Sequence, residues 1–169
     1  FPTRRSSDLV LTTRSPKETS SSSERPSLML LDDADPARRG TDEETIQMTS
    51  RLIVAKLKSY GIDSEVMGAQ PGPVITQYWL EPGAGVKGSQ IENVRDDLRR
   101  ALGVQAVRIV LSVPGTSYVG LEVPNPVREM VRLKEIIKSE AFEKSRSALT
   151  LAIGKDIAGK PFVMDLAKT

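Results

Sequence analysis

The 169-residue chain contains no cysteine and no histidine. Without cysteine it forms neither disulfides nor a thiolate metal site, and this fits a cytosolic protein. Without histidine it lacks the commonest metal ligand and the side chain most often used as a general base. Aromatic residues make up only 4% of the chain, fewer than a base-stacking surface needs. We therefore expect no catalytic, metal or cofactor site in this chain.

No apolar run approaches the roughly 20 residues that a membrane-spanning helix needs, so we expect no membrane contact by this chain. Charge is nearly balanced, with 24 Lys and Arg against 22 Asp and Glu. Residues 1–40 contain seven basic and six acidic residues, and the remainder contains 17 and 16. A domain that binds DNA by itself usually has a larger basic excess. Any DNA affinity should therefore come from local clusters of cations or from the assembly of several copies.

The first 40 residues carry few signals of a folded domain. Residues 1–9 are typical of a translated sequencing adapter, and the alternative is an ordinary basic tail. Residues 10–40 are interpreted as a disordered linker, because a run of four serines and three prolines interrupts any helix. The apolar residues 28–31 are the exception, and such a cluster often docks on a neighbouring surface.

From residue 41 onward, the patterns predict helices that alternate with pairs of strands. Capping boxes at Thr41/Glu44 and Ser89/Glu92 each precede apolar residues at helical spacing. Asn125-Pro126 suggests a helix N-cap followed by proline at the first helical position, although residues 127–138 could also begin as a strand. Strands are expected near residues 63–67, 74–81, 107–113, 118–123, 149–153 and 161–164. We expect an α+β fold, a mostly antiparallel sheet with two or three helices on one face.

Four cations are the candidate DNA contacts. Arg95, Arg99 and Arg100 share one surface of the second predicted helix, and Lys87 precedes that helix. Phosphate contacts require cations but no particular base. The alternative is a solvated helix face with local ion pairs, because two aspartates lie among the arginines.

Two glycine-containing segments resemble nucleotide-binding motifs. Residues 83–88 fit GxGxxG, but the preceding strand is partly polar, and the next strand enters a hairpin where a βαβ unit would continue. A loop close to DNA phosphate, or simple turn geometry, is the preferred interpretation. Gly154-Lys155-Asp156 lacks the first glycine and the Ser or Thr of a phosphate-binding loop, so we expect a hairpin turn there.

Several segments together resemble the small domain that precedes the motor core of FtsK/SpoIIIE-type DNA translocases. The resemblance covers roughly residues 26–168, and residues 103–105 depart from the alanine-rich helix ending that is usual in that family. The most specific segments are Gly72-Pro73-Val74-Ile75-Thr76, residues 82–87, residues 91–98, Arg108-Ile109, Pro114-Gly115 and Gly120-Leu121-Glu122-Val123-Pro124-Asn125.

The resemblance implies that residues 41–146 are the accessory (alpha) domain and residues 147–169 the first strands of an ATPase motor domain, truncated before its Walker A loop. It implies a ring-forming part of a hexameric, ATP-driven pump of double-stranded DNA for chromosome segregation and cell division, sporulation or DNA transfer. ATP and magnesium would bind the missing core. This domain would be cytoplasmic, with the parent protein anchored in the bacterial inner membrane by an upstream region.

Two other functions stay open at this point. The chain could be a self-contained nucleic-acid-binding module that uses the glycine-rich loop and the arginine-bearing helix. It could also be a protein-interaction domain, which the near-neutral charge favours.

Overall fold

The structure, a computed structural model, describes residues 26–35 and 41–168. The interpretations of residues 1–9 as an adapter and of residues 10–25 and 36–40 as linker lie outside the described residues. The chain divides into two units, and the first ends at Leu30. The described part of the first unit contains a 3-10 turn at Leu28–Leu30, in which Met29 and Leu30 are 90% and 79% exposed.

The second unit contains the strands β1 (Ser64–Pro71), β2 (Ile75–Pro82), β3 (Arg108–Val110) and β4 (Val119–Pro124). They form a four-stranded, fully antiparallel sheet with the strand order β1-β2-β4-β3, which confirms the α+β prediction. Short connections join β1 to β2 and β3 to β4, and such connections favour antiparallel pairing. The edge strand β3 is shorter than its alternating pattern predicts, and the chain then turns at Pro114 and Gly115, where Gly115 has a φ of 80°.

The first helix, α1 (Glu43–Ser59), begins one residue away from its predicted cap. The Asp42 side chain, and not that of Thr41, accepts a hydrogen bond from the Thr45 amide at 3.0 Å. Helices can begin at any small polar residue, and here Asp42 has the extended backbone of an N-cap. Gly61 follows the helix with a φ of 73°, as expected for a glycine at a helix C-terminus.

The second predicted helix is two helices, α2 (Gly88–Asn93) and α3 (Arg95–Leu102), separated at Val94. The predicted Ser89/Glu92 box is wrong. Instead, the Lys87 amide donates to the Gln90 side chain at 2.8 Å. Ile91 on α2 and Leu98 on α3 are both fully buried.

The helices α1, α2 and α3 cover one face of the sheet. The core on this face contains apolar residues from all three helices and from alternate positions of β2 and β4. Gln77 and Trp79 occupy the opposite face, where Trp79 Nε1 donates to Gln77 Oε1 at 3.2 Å. The fully buried members of the core are Ile53, Leu57, Leu80, Ile91, Leu98 and Leu121.

Two short helices and a hairpin follow the sheet: α4 (Leu133–Ile137), α5 (Glu140–Glu143), β5 (Thr150–Lys155) and β6 (Pro161–Asp165). The described residues thus contain five α-helices, more than the two or three expected. The hairpin turn was predicted at Gly154-Lys155-Asp156, but Gly154 and Lys155 belong to β5. The turn is closed by Asp156, whose carboxylate accepts from the Ala158 and Lys160 amides at 2.9 and 2.8 Å.

The prediction that Asn125 caps a helix is wrong. The side chain is buried and joins the β1–β2 turn to β2, since its amide donates to the Gly72 carbonyl and its oxygen accepts from the Thr76 hydroxyl, both at 2.8 Å. The next helix begins only at Leu133, where Glu135 accepts from the Arg132 amide at 2.9 Å.

Candidate nucleic-acid interface

Three of the four candidate cations lie on α3, where each is paired with a neighbouring carboxylate. Arg95 and Arg99 each lie 3.9 Å from Asp96, whose side chain is 70% exposed. Contacts this long between exposed groups are weak, so both guanidinium groups stay available to a phosphate. Arg100 forms a direct hydrogen bond with Asp97, and this bond raises the pKa of the guanidinium.

The fourth cation, Lys87, lies at the other end of this region. It occupies the N-cap position of α2, and the break at Val94 places it on a different helix from the arginines. The structure therefore brings the three arginines together and leaves Lys87 at a separate helix terminus.

The glycine-rich loop before α2 has a structural reason for each of its glycines. A side chain at Gly83 would press against the Asp63 carbonyl oxygen, 3.1 Å away, and one at Gly88 would press against Leu111. Gly85 has a φ of 84°, where side chains are strained. The strands that flank the loop and its helices, β2 and β3, do not pair with each other, because each pairs antiparallel with β4, whereas the strands of a dinucleotide-binding βαβ unit belong to a parallel sheet. The loop is explained as turn geometry.

Lys56 is a cation near this surface that the sequence did not single out. Its ammonium lies 5.1 Å from the centre of the Tyr60 ring, on the exposed end of α1. The Tyr60 hydroxyl is also close enough to Arg100 to influence the pKa of that guanidinium. The spacing of four residues between Lys56 and Tyr60 was the available signal, because residues four apart meet on a helix surface.

Charge is unevenly divided between residues 41–125 and residues 126–168. Residues 41–125 contain eight basic and ten acidic residues, a net charge of −2. Residues 126–168 contain nine basic and six acidic residues, a net charge of +3. The sheet and its helices therefore present the arginine-bearing α3 within an otherwise acidic region.

A groove of about 140 Å³ lies beside α1. Among the described residues that line it, Tyr78 has the one titratable side chain, and burial raises the pKa of this phenol. A single protonated phenol offers no acid–base pair, so the groove has no arrangement suited to proton transfer. Its lining comprises Thr41, Thr45, Met48, Thr49, Leu52, Thr76, Tyr78, Leu102, Val104, Val123, Pro124, Asn125 and Pro126.

Residues 26–35 and 41–168 contain no cluster of three or more acidic side chains placed to hold a metal ion. Within the same residues, no helix is both long enough and apolar enough to cross a bilayer.

Comparison with known proteins gives a consistent result. A family model described as "FtsK alpha domain" matches residues 25–125. "DNA translocase FtsK 2" of Ralstonia nicotianae is 53% identical over 146 residues, which cover 86% of this chain and 19% of that protein. "DNA translocase FtsK" of Shewanella oneidensis is 45% identical over 143 residues, or 85% of this chain and 16% of that protein.

The protein of the same name in Pseudomonas aeruginosa is 43% identical over 143 residues, which cover 85% of this chain and 18% of that protein. The chain thus spans less than a fifth of the length of these curated relatives.

Proposed function

Because this chain belongs to the FtsK alpha-domain family, we propose that it is the accessory domain of a hexameric, ATP-driven translocase of double-stranded DNA that acts in chromosome segregation and cell division. The observation that carries the proposal is the family match over residues 25–125. The relatives that match the chain are named DNA translocases, and their similarity extends over 85% or more of it.

The proposed partners are double-stranded DNA and further copies of the chain. The net charge of −2 over residues 41–125 disfavours tight binding of DNA by one copy. In a ring, the α3 arginines of several copies and Lys87 would lie around one duplex, and many weak phosphate contacts would act together. The arginine surface is therefore proposed to act only in the assembled state.

Residues 147–169 are proposed to begin the ATPase motor domain. Five large apolar side chains are exposed in residues 149–162, which include most of the hairpin: Leu149, Leu151, Ile153, Ile157 and Phe162. Since a two-stranded hairpin is marginally stable by itself, its apolar face is suited to packing against further strands. We assign that cover to the remainder of the motor domain.

ATP and magnesium are proposed to bind elsewhere in the complete protein. Lys155 lies on strand β5 and is paired with Glu135 at 2.6 Å. The residues of this chain therefore do not fit a phosphate-binding loop, in which a lysine must reach the nucleotide phosphates. The domain is proposed to be cytoplasmic, with an upstream region anchoring the parent protein in the bacterial inner membrane.

The decisive experiment compares DNA binding by this chain with binding by the same chain joined to the motor region of its Ralstonia relative. Affinity for a DNA duplex is measured at two salt concentrations. We expect weak binding by the chain alone and tight, salt-dependent binding by the joined protein in its oligomeric form.

Tight binding by the isolated monomer, with a steep salt dependence, would instead identify a self-contained nucleic-acid-binding module. The net charge of −2 over residues 41–125 favours a second candidate, a protein-interaction domain. That candidate predicts that removing residues 41–125 from the joined protein leaves its DNA affinity unchanged.

A further inference from the structure

Helix α4 lies between two ion pairs that use neighbouring residues. The Lys134 ammonium is 2.7 Å from the Asp33 carboxylate, in the segment that precedes the sheet. The Glu135 carboxylate is 2.6 Å from the Lys155 ammonium, at the end of β5. One short helix therefore joins a segment upstream of the sheet to a hairpin downstream of it.

Both ion pairs include largely buried groups. The side chain of Lys134 is 11% exposed, and those of Lys155 and Glu135 are 9% and 14% exposed. A charge removed from water is costly unless an opposite charge accompanies it, so the buried Lys155–Glu135 pair requires both partners, whereas Asp33 is 76% exposed and reaches Lys134 from the solvent side. The position of α4 therefore depends on these two ion pairs.

Residues 31–35 form a segment that we call the strap, and its negative charge is opposite to that of the cations in and beside α4. Residues 26–35 contain three aspartates and no cation. Asp32 lies 3.0 Å from Arg132, and Asp33 also lies 4.0 Å from Lys138. Two aspartates of the strap thus meet three cations in or beside α4.

The hairpin has a second contact, with the sheet itself. A side chain at Gly72, between β1 and β2, would clash with the carbonyl oxygen of Ile157 in the β5–β6 turn. Gly159 of the same turn lies beside Pro73. The hairpin is therefore held at its turn by the sheet and at Lys155 by α4.

We propose that the strap is a conformational device: by holding α4 through Asp33 and Lys134, it fixes the orientation of the β5–β6 hairpin on the sheet. A five-residue helix is too short to be stable alone, so the position of α4 depends on its contacts. Displacement of the strap weakens the hold of α4 on Lys155 and loosens the hairpin. A force on the chain upstream of the sheet would reach the hairpin by this route.

Amide hydrogen exchange on the whole chain tests this inference with the variant Asp33→Asn. Exchange should accelerate in the strap, in α4 and in the hairpin, including the Asp156 amide that donates to Lys160. The expected factor is roughly two to five, as for loss of a solvent-accessible ion pair. Strands β1, β2 and β4 should not change.

The matched control is Asp96→Asn, the same substitution at an exposed carboxylate on α3, which should leave the hairpin unchanged. Acceleration confined to residues 31–35 would overturn the inference, as would an equal acceleration in both variants.

A double-mutant cycle gives an independent test. Asp33→Asn and Lys155→Met are measured singly and together by the exchange rate of the hairpin amides. If the strap acts through α4, the combined acceleration is smaller than the product of the single effects, because the second substitution breaks a connection already lost. Effects that multiply within error would mean that the two pairs are independent and would refute the proposal.

Discussion

Asn125 is expected to be a principal determinant of stability in the sheet, and Asn125→Leu tests this. Leucine has a similar volume but can neither donate to the Gly72 carbonyl nor accept from the Thr76 hydroxyl, both of which are 2.8 Å away. The change therefore removes two hydrogen bonds within a buried site without creating a large cavity.

The expected loss in the free energy of unfolding follows from the hydrogen bond that each partner of Asn125 loses. Thr76 keeps a second contact, to the Thr41 hydroxyl at 3.4 Å, so its loss is partly compensated. The Gly72 carbonyl is buried and loses the Asn125 amide. A lost hydrogen bond costs about 0.5–1.5 kcal/mol, and a buried polar group left unpaired costs about 1–3 kcal/mol. We expect the free energy of unfolding to fall by about 2–4 kcal/mol.

Urea unfolding followed by far-ultraviolet circular dichroism measures this change. With a urea dependence of about 2 kcal/mol/M, the midpoint should fall by roughly 1–2 M. Thr76→Val removes one of the two bonds but leaves Gly72 paired, and it should cost about 1 kcal/mol. Asn93→Ala, at an exposed asparagine of α2, is the control and should change stability by less than about 0.5 kcal/mol. A loss below about 1 kcal/mol for Asn125→Leu would refute the reasoning.

Three further predictions concern Ser64, the Asp33 contact and the arginines of α3. Ser64→Ala removes a buried hydroxyl that has no hydrogen-bond partner, so urea unfolding should show unchanged stability or a gain of up to about 1 kcal/mol. The hydrogen bond with Lys134 lowers the pKa of Asp33 below its ordinary value of 3.8. The contact between Asp33 and Lys134 should therefore be complete above pH 4 and should be lost as the pH falls through that lowered pKa. The urea midpoints of the wild type and Asp33→Asn should then converge in acid. A difference between the two midpoints that does not change with pH would contradict this prediction. If α3 contacts DNA in the assembled protein, the double variant Arg95→Ala with Arg99→Ala should lower the slope of log affinity against log salt concentration by the equivalent of about two phosphate contacts. The control Arg51→Ala on α1 should leave this slope unchanged. The charged groups that contact Asp33 are Lys134 and Lys138.

The elements that the sequence predicted well obey local rules. Gly61 and Gly103 end their helices with φ values of 73° and 66°, a conformation that glycine adopts at little cost. The apolar residues of α1 recur at helical spacing, and Ile46, Ile53 and Leu57 are all buried. Such patterns depend on residues a few positions apart, so they can be recognised without knowledge of the fold.

The helix cap predicted at Asn125 failed because the partners of this side chain are distant in the chain. Asn125 followed by proline has every local feature of a helix N-cap, yet its side chain binds Gly72, 53 residues away. The buried site offers two hydrogen bonds that a solvated cap does not, and these outweigh the local preference.

The amino-acid sequence alone determined the α+β class, the antiparallel strand pairs and the family, because turn residues, apolar spacing and the motifs from Gly72 to Asn125 are local features. Only the tertiary structure decided which distant charges meet. Asp32 pairs with Arg132 across 100 residues of chain, and Glu135 pairs with Lys155. Local pairs such as Asp97–Arg100 follow the spacing of a helix, whereas distant pairs form only between groups that folding brings within a few ångströms.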